Sequence, residues 1–169
     1  MPEVMLDLET MGVNNNAAII AIGAVVFDLE KGILGKSFYY TVDLQSSVDA
    51  GGVIDPSTVL WWMGQSNEAG AEFERPGNSI QLVLNLFSAW VPAGSNMWGN
   101  GATADNVWLR SAYERLGLTV PWHYRNDRCF RTVKAMHPPI ELEDKGVKHN
   151  ALADARWQAQ YLIKILGNV

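Results

Sequence analysis

Two carboxylates interrupt an apolar run at the start of the chain, Val4-Met5-Leu6-Asp7-Leu8-Glu9-Thr10. On a β-strand, side chains alternate between faces, so Asp7 and Glu9 project from one side while Leu6 and Leu8 project from the other. Two acids on one face repel unless a cation, a proton or a basic group compensates them, which leaves two readings, a divalent-metal site or a solvated sheet face. Three further residues have types suited to such a site. Asp105 follows a short strand-like run, Asn96 to Asn100, at the first turn of a helix, where an acid taken alone is ordinarily explained as a cap. His149 precedes Asn150, a good N-cap, and Asp154 falls about one turn inside the helix that follows, so both could reach a cleft at its N-terminus.

A second Asp-Leu-Glu, Asp28-Leu29-Glu30, serves as an internal control. Lys31-Gly32 follows it at once, between the apolar runs Ala17 to Phe27 and Ile33 to Val42, which places it at the mouth of a β-hairpin. The tripeptide alone therefore does not mark a site; its position has to.

The elements that must position these residues can be taken in order. Asp55-Pro56 opens a helix through Met63, which carries the adjacent Trp61 and Trp62. Neighbours on a helix lie about 100° apart, so one indole faces outward or into a cleft, either at the edge of the core or as a stacking surface for a base. Glu68 to Gly77 reads as a polar connection, and Ser79 to Val91 returns to helical spacing. Val107, Leu109, Ala112, Tyr113 and Leu116 give the helix after Asp105 an apolar face, and Gly117 ends it. Val120 to Tyr124 is expected as a short strand, and Asp127 as the cap of a helix running to about Met136, stopped by Pro138-Pro139. Arg128 and Arg131 then share one helical face, either solvated or contacting phosphates. Ile140 to Lys148 reads as a polar loop whose acids, Glu141, Glu143 and Asp144, are solvated. The last helix has Leu152, Ala155, Ala159, Leu162, Ile163 and Leu166 at core spacing.

Composition narrows the class. A length of 169 residues with 48% apolar content suits one globular domain, residues 1–169, with a sizeable core. The longest apolar stretch is too short to span a bilayer and no hydrophobic leader opens the chain, so a cytoplasmic protein with no membrane partner is expected. One cysteine, Cys129, excludes an internal disulfide and a structural cysteine zinc site. A formal charge of -5 argues against a non-specific nucleic-acid coat protein. It is compatible with a metal-dependent nuclease, whose acids neutralise cations.

In order and spacing these acids resemble the DEDDh subgroup of the DnaQ-like 3′-to-5′ exonucleases. Asp7-Leu8-Glu9-Thr10 resembles the first exonuclease motif, Asn100 to Leu109 with Asp105 the second, and His149 with Asp154 the third. The short phage- or bacterial-type exoribonucleases are the most similar. The resemblance implies an α/β, ribonuclease-H-like three-layer fold, a mixed five-stranded sheet flanked by helices, with the second strand antiparallel to its neighbours. It also implies two divalent cations, Mg²⁺ or Mn²⁺: Asp7 touches both, Glu9 and Asp154 hold the first, and Asp105 acts on the second, largely through water. His149 is implied as general base, and the backbone at Thr10, Met11 and Gly12 as lying against the terminal nucleotide of a single-stranded 3′ end. Trp61, Trp62 and Trp98 are candidate stacking partners. A homodimer is implied by analogy. Such a centre suits phosphodiester cleavage, because two hard cations about 4 Å apart serve both the attacking and the leaving oxygen, oxygen ligands suit Mg²⁺ and Mn²⁺, and a neutral imidazole can take the proton of water near pH 7.

Overall fold

The computed structural model describes residues 1–65, 70, 73, 77–142 and 149–167. The expected polar connection Glu68 to Gly77 lies largely outside the described residues, as do Glu143 and Asp144. Five strands form one sheet, β1 (Glu3–Thr10), β2 (Ile19–Asp28), β3 (Ile33–Thr41), β4 (Asn96–Gly99) and β5 (Asp127–Cys129), in the spatial order β3-β2-β1-β4-β5. β2 runs antiparallel to both β1 and β3, while β4 is parallel to β1 and β5 to β4. The helices given in full by the described residues are α1 (Leu44–Asp49), α2 (Pro56–Met63), α3 (Ile80–Trp90), α4 (Asp105–Arg115), α5 (Phe130–Ala135) and α6 (Ala151–Leu166).

Alternation along β1 sorts the molecule into three layers. Val4, Leu6 and Leu8 pack with Ile80, Val83, Leu84 and Phe87 of α3 and Leu109, Ala112 and Tyr113 of α4. Met5, on the other face, packs with Phe130 of α5 and Ala155, Ala159 and Leu162 of α6. Asp7 and Glu9 belong to that second face, at the carboxyl end of β1, where open α/β sheets present their ligand crevices.

Glycines set how closely two helices approach that end. Gly23 pairs with Asp7 across β1 and β2. A Cβ there would lie 2.2 Å from the Ala151 carbonyl carbon, so its absence lets the N-terminus of α6 rest on the sheet beside Asp7. Gly99 pairs with Leu6, and a Cβ on it would lie 2.2 Å from Asn106 Oδ1 and 3.1 Å from Asp105 Cβ, so its absence lets α4 start against the same end of β1.

Asn150 caps α6 by accepting from Ala153 N at 2.9 Å and Asp55 caps α2, both as the sequence leads one to expect, and Ser79 caps α3. The region around Asp127 corrects the sequence reading. Val120 to Tyr124 is not a strand; the strand is Asp127–Cys129, and the helix after it begins only at Phe130. Asp127 is unavailable as a cap because its carboxylate accepts from Trp122 Nε1 at 2.7 Å, Asn106 Nδ2 at 2.9 Å and Arg110 Nη2 at 3.3 Å. That knot ties the sheet edge to α4.

Candidate active site

One oxygen from each of Asp7, Glu9 and Asp154 lies within 4.8 Å of the others, and all three residues are buried. The strand alternation of β1 supplies the first two, and the capped first turn of α6, seated on Gly23, supplies the third. Asp105 is buried beside them but is held differently. Its Oδ1 accepts from Leu8 N at 3.1 Å and its Oδ2 from Asn100 N at 2.8 Å, so the carboxylate ties β1 to the turn before α4. It does not act as the side-chain cap of α4; that position is Ala104, with no side-chain hydrogen bond.

The electrostatics are those of crowded, buried carboxylates. Burial holds the Asp7 carboxyl well above the usual carboxylate range, and the charges of Asp105, Glu9 and Asp154 push it further, against a hydrogen bond from Gln158. Burial raises Asp105 to about 7, opposed by the Leu8 and Asn100 N–H groups and by the nearby Arg131 guanidinium. Hard, buried oxygen donors that repel one another fit Mg²⁺ or Mn²⁺, since a divalent cation removes the repulsion and matches the donor type. Asp7, Glu9 and Asp154 would hold it, with Asp105 alongside.

A cavity of about 430 Å³ opens next to the acids, lined by Leu8, Glu9, Thr10, Gly12, Ser57, Trp61 and Trp62, with Trp108 from α4. Trp62 Nε1 donates to Thr10 O at 3.0 Å, and Thr10 Oγ1 donates to Gly12 O at 2.7 Å, so α2 is braced against the end of β1. Trp61 is 46% exposed at the mouth. His149 stands on the rim with its ring edge-on to Trp61 at 4.8 Å and to Trp62 at 6.1 Å between centroids. Its φ of 61° is the one positive value among the described non-glycine residues, a conformation that costs energy and is concentrated at functional sites. A larger groove of about 890 Å³ along the outer face of α6, between Arg156 and the start of β3, has no acid cluster among the described residues.

Several candidates from the sequence are placed elsewhere. Trp98 is buried in the core under α5 and α6, and its indole N–H is bound by Glu3, so it offers no stacking face. Arg128 lies on β5 and Arg131 on α5, so they do not share a helical face. Arg128 Nη1 donates to the Arg125 and Asp127 carbonyls, at 2.9 and 3.0 Å. Arg131 Nη2 donates to Asn100 O at 3.0 Å, beside the Asp105 turn. Both main-chain groups of Met11 are engaged, its N–H by Ala18 O and its carbonyl by Asp55 N, leaving Thr10 and Gly12 as the wall of the cavity. Two residues escaped the sequence reading, Trp108 and Gln158. Each lies on the face of an acid already singled out, three residues after Asp105 and four after Asp154, a helical spacing that carries a signal.

Residues 2–166 match the model of the Rv2179c-like 3′-5′ exoribonuclease domain. The chain belongs to that family. No curated protein matches it in sequence. Among solved structures, E. coli exonuclease I in complex with a dT13 oligonucleotide superposes with a TM-score of 0.69 at 14% identity, over 96% of this chain and 40% of that one. The nuclease domain of 3′hExo, a DEDDh family member bound to rAMP, gives 0.62 at 11% identity over 96% and 90% of the two chains. Cell-death related nuclease 4 gives 0.60 at 13%, over 96% and 64%. This Rv2179c-like domain thus has the ribonuclease-H-like fold of DEDDh exonucleases, and it spans about two-fifths of exonuclease I.

Proposed function

We propose that the chain is a 3′-to-5′ exoribonuclease that removes nucleoside 5′-monophosphates from the 3′ end of single-stranded RNA. The observation that carries this reading is the convergence of Asp7, Glu9 and Asp154 within 4.8 Å, buried and walled by an aromatic cavity. Bound Mg²⁺ or Mn²⁺ at two positions would supply Lewis-acid stabilisation of the attacking and leaving oxygens. The rest falls to the chain. Asp7 would serve both cation positions, Glu9 and Asp154 the first, and Asp105 the second, largely through water. Thr10 and Gly12 lie along the terminal nucleotide, Trp61 and Trp62 stack on bases, and Arg131 approaches the phosphates. His149, turning from its contact with the two indoles, takes the proton of the attacking water on a ring nitrogen; the water oxygen bonds to phosphorus as the P–O3′ bond breaks, and the departing 3′-oxygen takes a proton from solvent, giving a nucleoside 5′-monophosphate and a shortened strand with a 3′-hydroxyl.

The family description and the rAMP complex of 3′hExo support RNA. The dT13 and dA16 complexes of exonuclease I favour a second reading, a DNA exonuclease of the same fold. Incubation of the purified protein with 3′- and 5′-labelled RNA and DNA, in Mn²⁺ or EDTA, separates the two. Stepwise shortening of 5′-labelled RNA in Mn²⁺ is expected; shortening of DNA alone selects the second reading, and no cleavage of either strand removes both.

A further inference from the structure

Gln158 is buried on α6, one turn beyond Asp154, and its Nε2 donates to Asp7 Oδ1 at 2.7 Å. Its own carbonyl, Oε1, is buried without a hydrogen-bond partner among the described residues. A buried carbonyl left without a partner forfeits its hydration and is destabilising. For packing alone, a methionine or leucine would fill this place against the sheet without that cost, so the amide needs a reason that packing does not supply. The reason on the structure is Asp7. Its Oδ1 accepts the Gln158 N–H in a buried setting where Glu9, Asp105 and Asp154 are the neighbouring acids, and that hydrogen bond helps hold the carboxylate in place. An amide gives that help without bringing a positive charge. A lysine or arginine here would neutralise the cluster and compete with any cation for it.

We propose, on the two-cation reading above, that Gln158 is a positioning residue: its amide anchors Asp7 Oδ1 to α6, fixes the rotation of the carboxylate and leaves Oδ2 for the cations. Gln158 therefore sets cation affinity, acting through Asp7, and touches neither substrate nor reacting atoms. Partners that orient a metal ligand change affinity or activity by about 10- to 100-fold when removed.

The test combines Gln158→Met and Gln158→Leu with Mn²⁺ titration by calorimetry, melting in EDTA, and kinetics on labelled RNA. The expected result is Mn²⁺ affinity about tenfold weaker, melting in EDTA unchanged or higher because the orphaned carbonyl is gone, and kcat lowered but restored by excess Mn²⁺ with KM unmoved. Mn²⁺ affinity equal to wild type in both variants overturns the proposal and leaves the exonuclease reading standing. Failure of the wild type itself to bind Mn²⁺ overturns that reading and the proposal with it. A measurement on the unaltered protein guards against misfolded variants. The Gln158 side-chain amide resonance is expected to move as Mg²⁺ is added, and an amide that stays fixed while the cluster fills also overturns the proposal.

Discussion

Asp7-Leu8-Glu9 and Asp28-Leu29-Glu30 are the same three residues under opposite physical conditions. The first lies inside β1 with both acids buried, and the second closes β2 into the hairpin turn. Asp28 Oδ1 accepts from Glu30 N at 3.0 Å and Lys31 N at 2.9 Å, and Oδ2 pairs with Lys31 Nζ at 3.2 Å, while Gly32 supplies a φ of 67°. Those bonds, led by the Lys31 backbone N–H, hold Asp28 below the usual carboxylate range, whereas burial drives Asp7 above it. One aspartate is satisfied by its own turn. The other is buried beside Glu9, Asp105 and Asp154, and the difference lies in what the topology brings near.

The largest test of this contrast is Asp7→Asn against Asp28→Asn. Losing a cation that contributes several kcal/mol to the transition state lowers the rate by about a hundredfold to a thousandfold. Asp7→Asn, or EDTA on the wild type, is expected to have that effect in a 5′-labelled RNA assay; Asp28→Asn is expected to keep full activity. Equal losses would mean that the contrast is not one of function.

Next in size is the approach of α6. Gly23→Ala would drive a methyl to 2.2 Å from the Ala151 carbonyl carbon, so backbone must move. A loss of about 1–3 kcal/mol in stability is expected, as for overpacked cores, along with reduced cleavage as Asp154 is displaced from Asp7. Gly35→Ala, in the hairpin of the second tripeptide, meets Val26 O at 3.3 Å, Val26 Cβ at 3.5 Å and Val26 Cγ1 at 3.7 Å, so denaturant melts should show a much smaller change. Comparable losses would remove Gly23 from the account.

Much of this was legible in the chain because it is local. Strand alternation placed Asp7 and Glu9 together, the Asp55-Pro56 and Asn150 caps fixed two helix starts, and Lys31-Gly32 after Asp28 announced a turn. What escaped depends on partners distant in sequence. β5 has three residues, too few for a period, and exists because it pairs with β4; Asp127 looks like a cap until Trp122, Asn106 and Arg110 are seen to converge on it. Trp98 is indistinguishable from a stacking residue until Glu3 binds its indole. Gln158 gains meaning only once α6 lies across β1, and Gly23 only once α6 is seen to need that space. Likewise α1, six residues capped by Asp43, is too short to show a helical period.

The pH dependence of stability should separate the two tripeptides by sign. In EDTA, Asp7 and Asp105 have folded-state values above their unfolded ones, so the folded protein holds protons that the unfolded chain releases. Their contribution is intact below the unfolded value of 3.8 and declines as pH rises toward the folded value of about 7 for Asp105. Melting temperature in EDTA is therefore expected to fall across that window, with Asp105→Asn reducing the slope and saturating Mn²⁺ abolishing it. Asp28 works the other way: its contribution is present above 3.8 and lost as pH drops through its lowered folded value. A melting temperature in EDTA that climbs from pH 4 to 7 would contradict the burial-driven shift of the first cluster.

The smallest effect tests what kind of job each aspartate has. Asparagine keeps a side-chain carbonyl where Asp28 accepts from Glu30 and Lys31, so Asp28→Asn retains the turn and forgoes only an exposed ion pair, which contributes little. Asp28→Ala removes the acceptor as well, so it should melt measurably below Asp28→Asn while both cleave RNA like the wild type. At Asp7 the ranking collapses. Asparagine supplies an acceptor for Gln158 but no charge for a cation, so Asp7→Asn and Asp7→Ala should be equally inactive, and Asp7→Asn should melt higher than the wild type at pH 8 in EDTA, because it removes a carboxylate from a crowded cluster and keeps the acceptor. The same two substitutions thus report hydrogen-bond geometry at one tripeptide and charge at the other. An Asp7→Asn variant that keeps its activity while Asp7→Ala loses it would turn the first site, too, into a matter of hydrogen bonding.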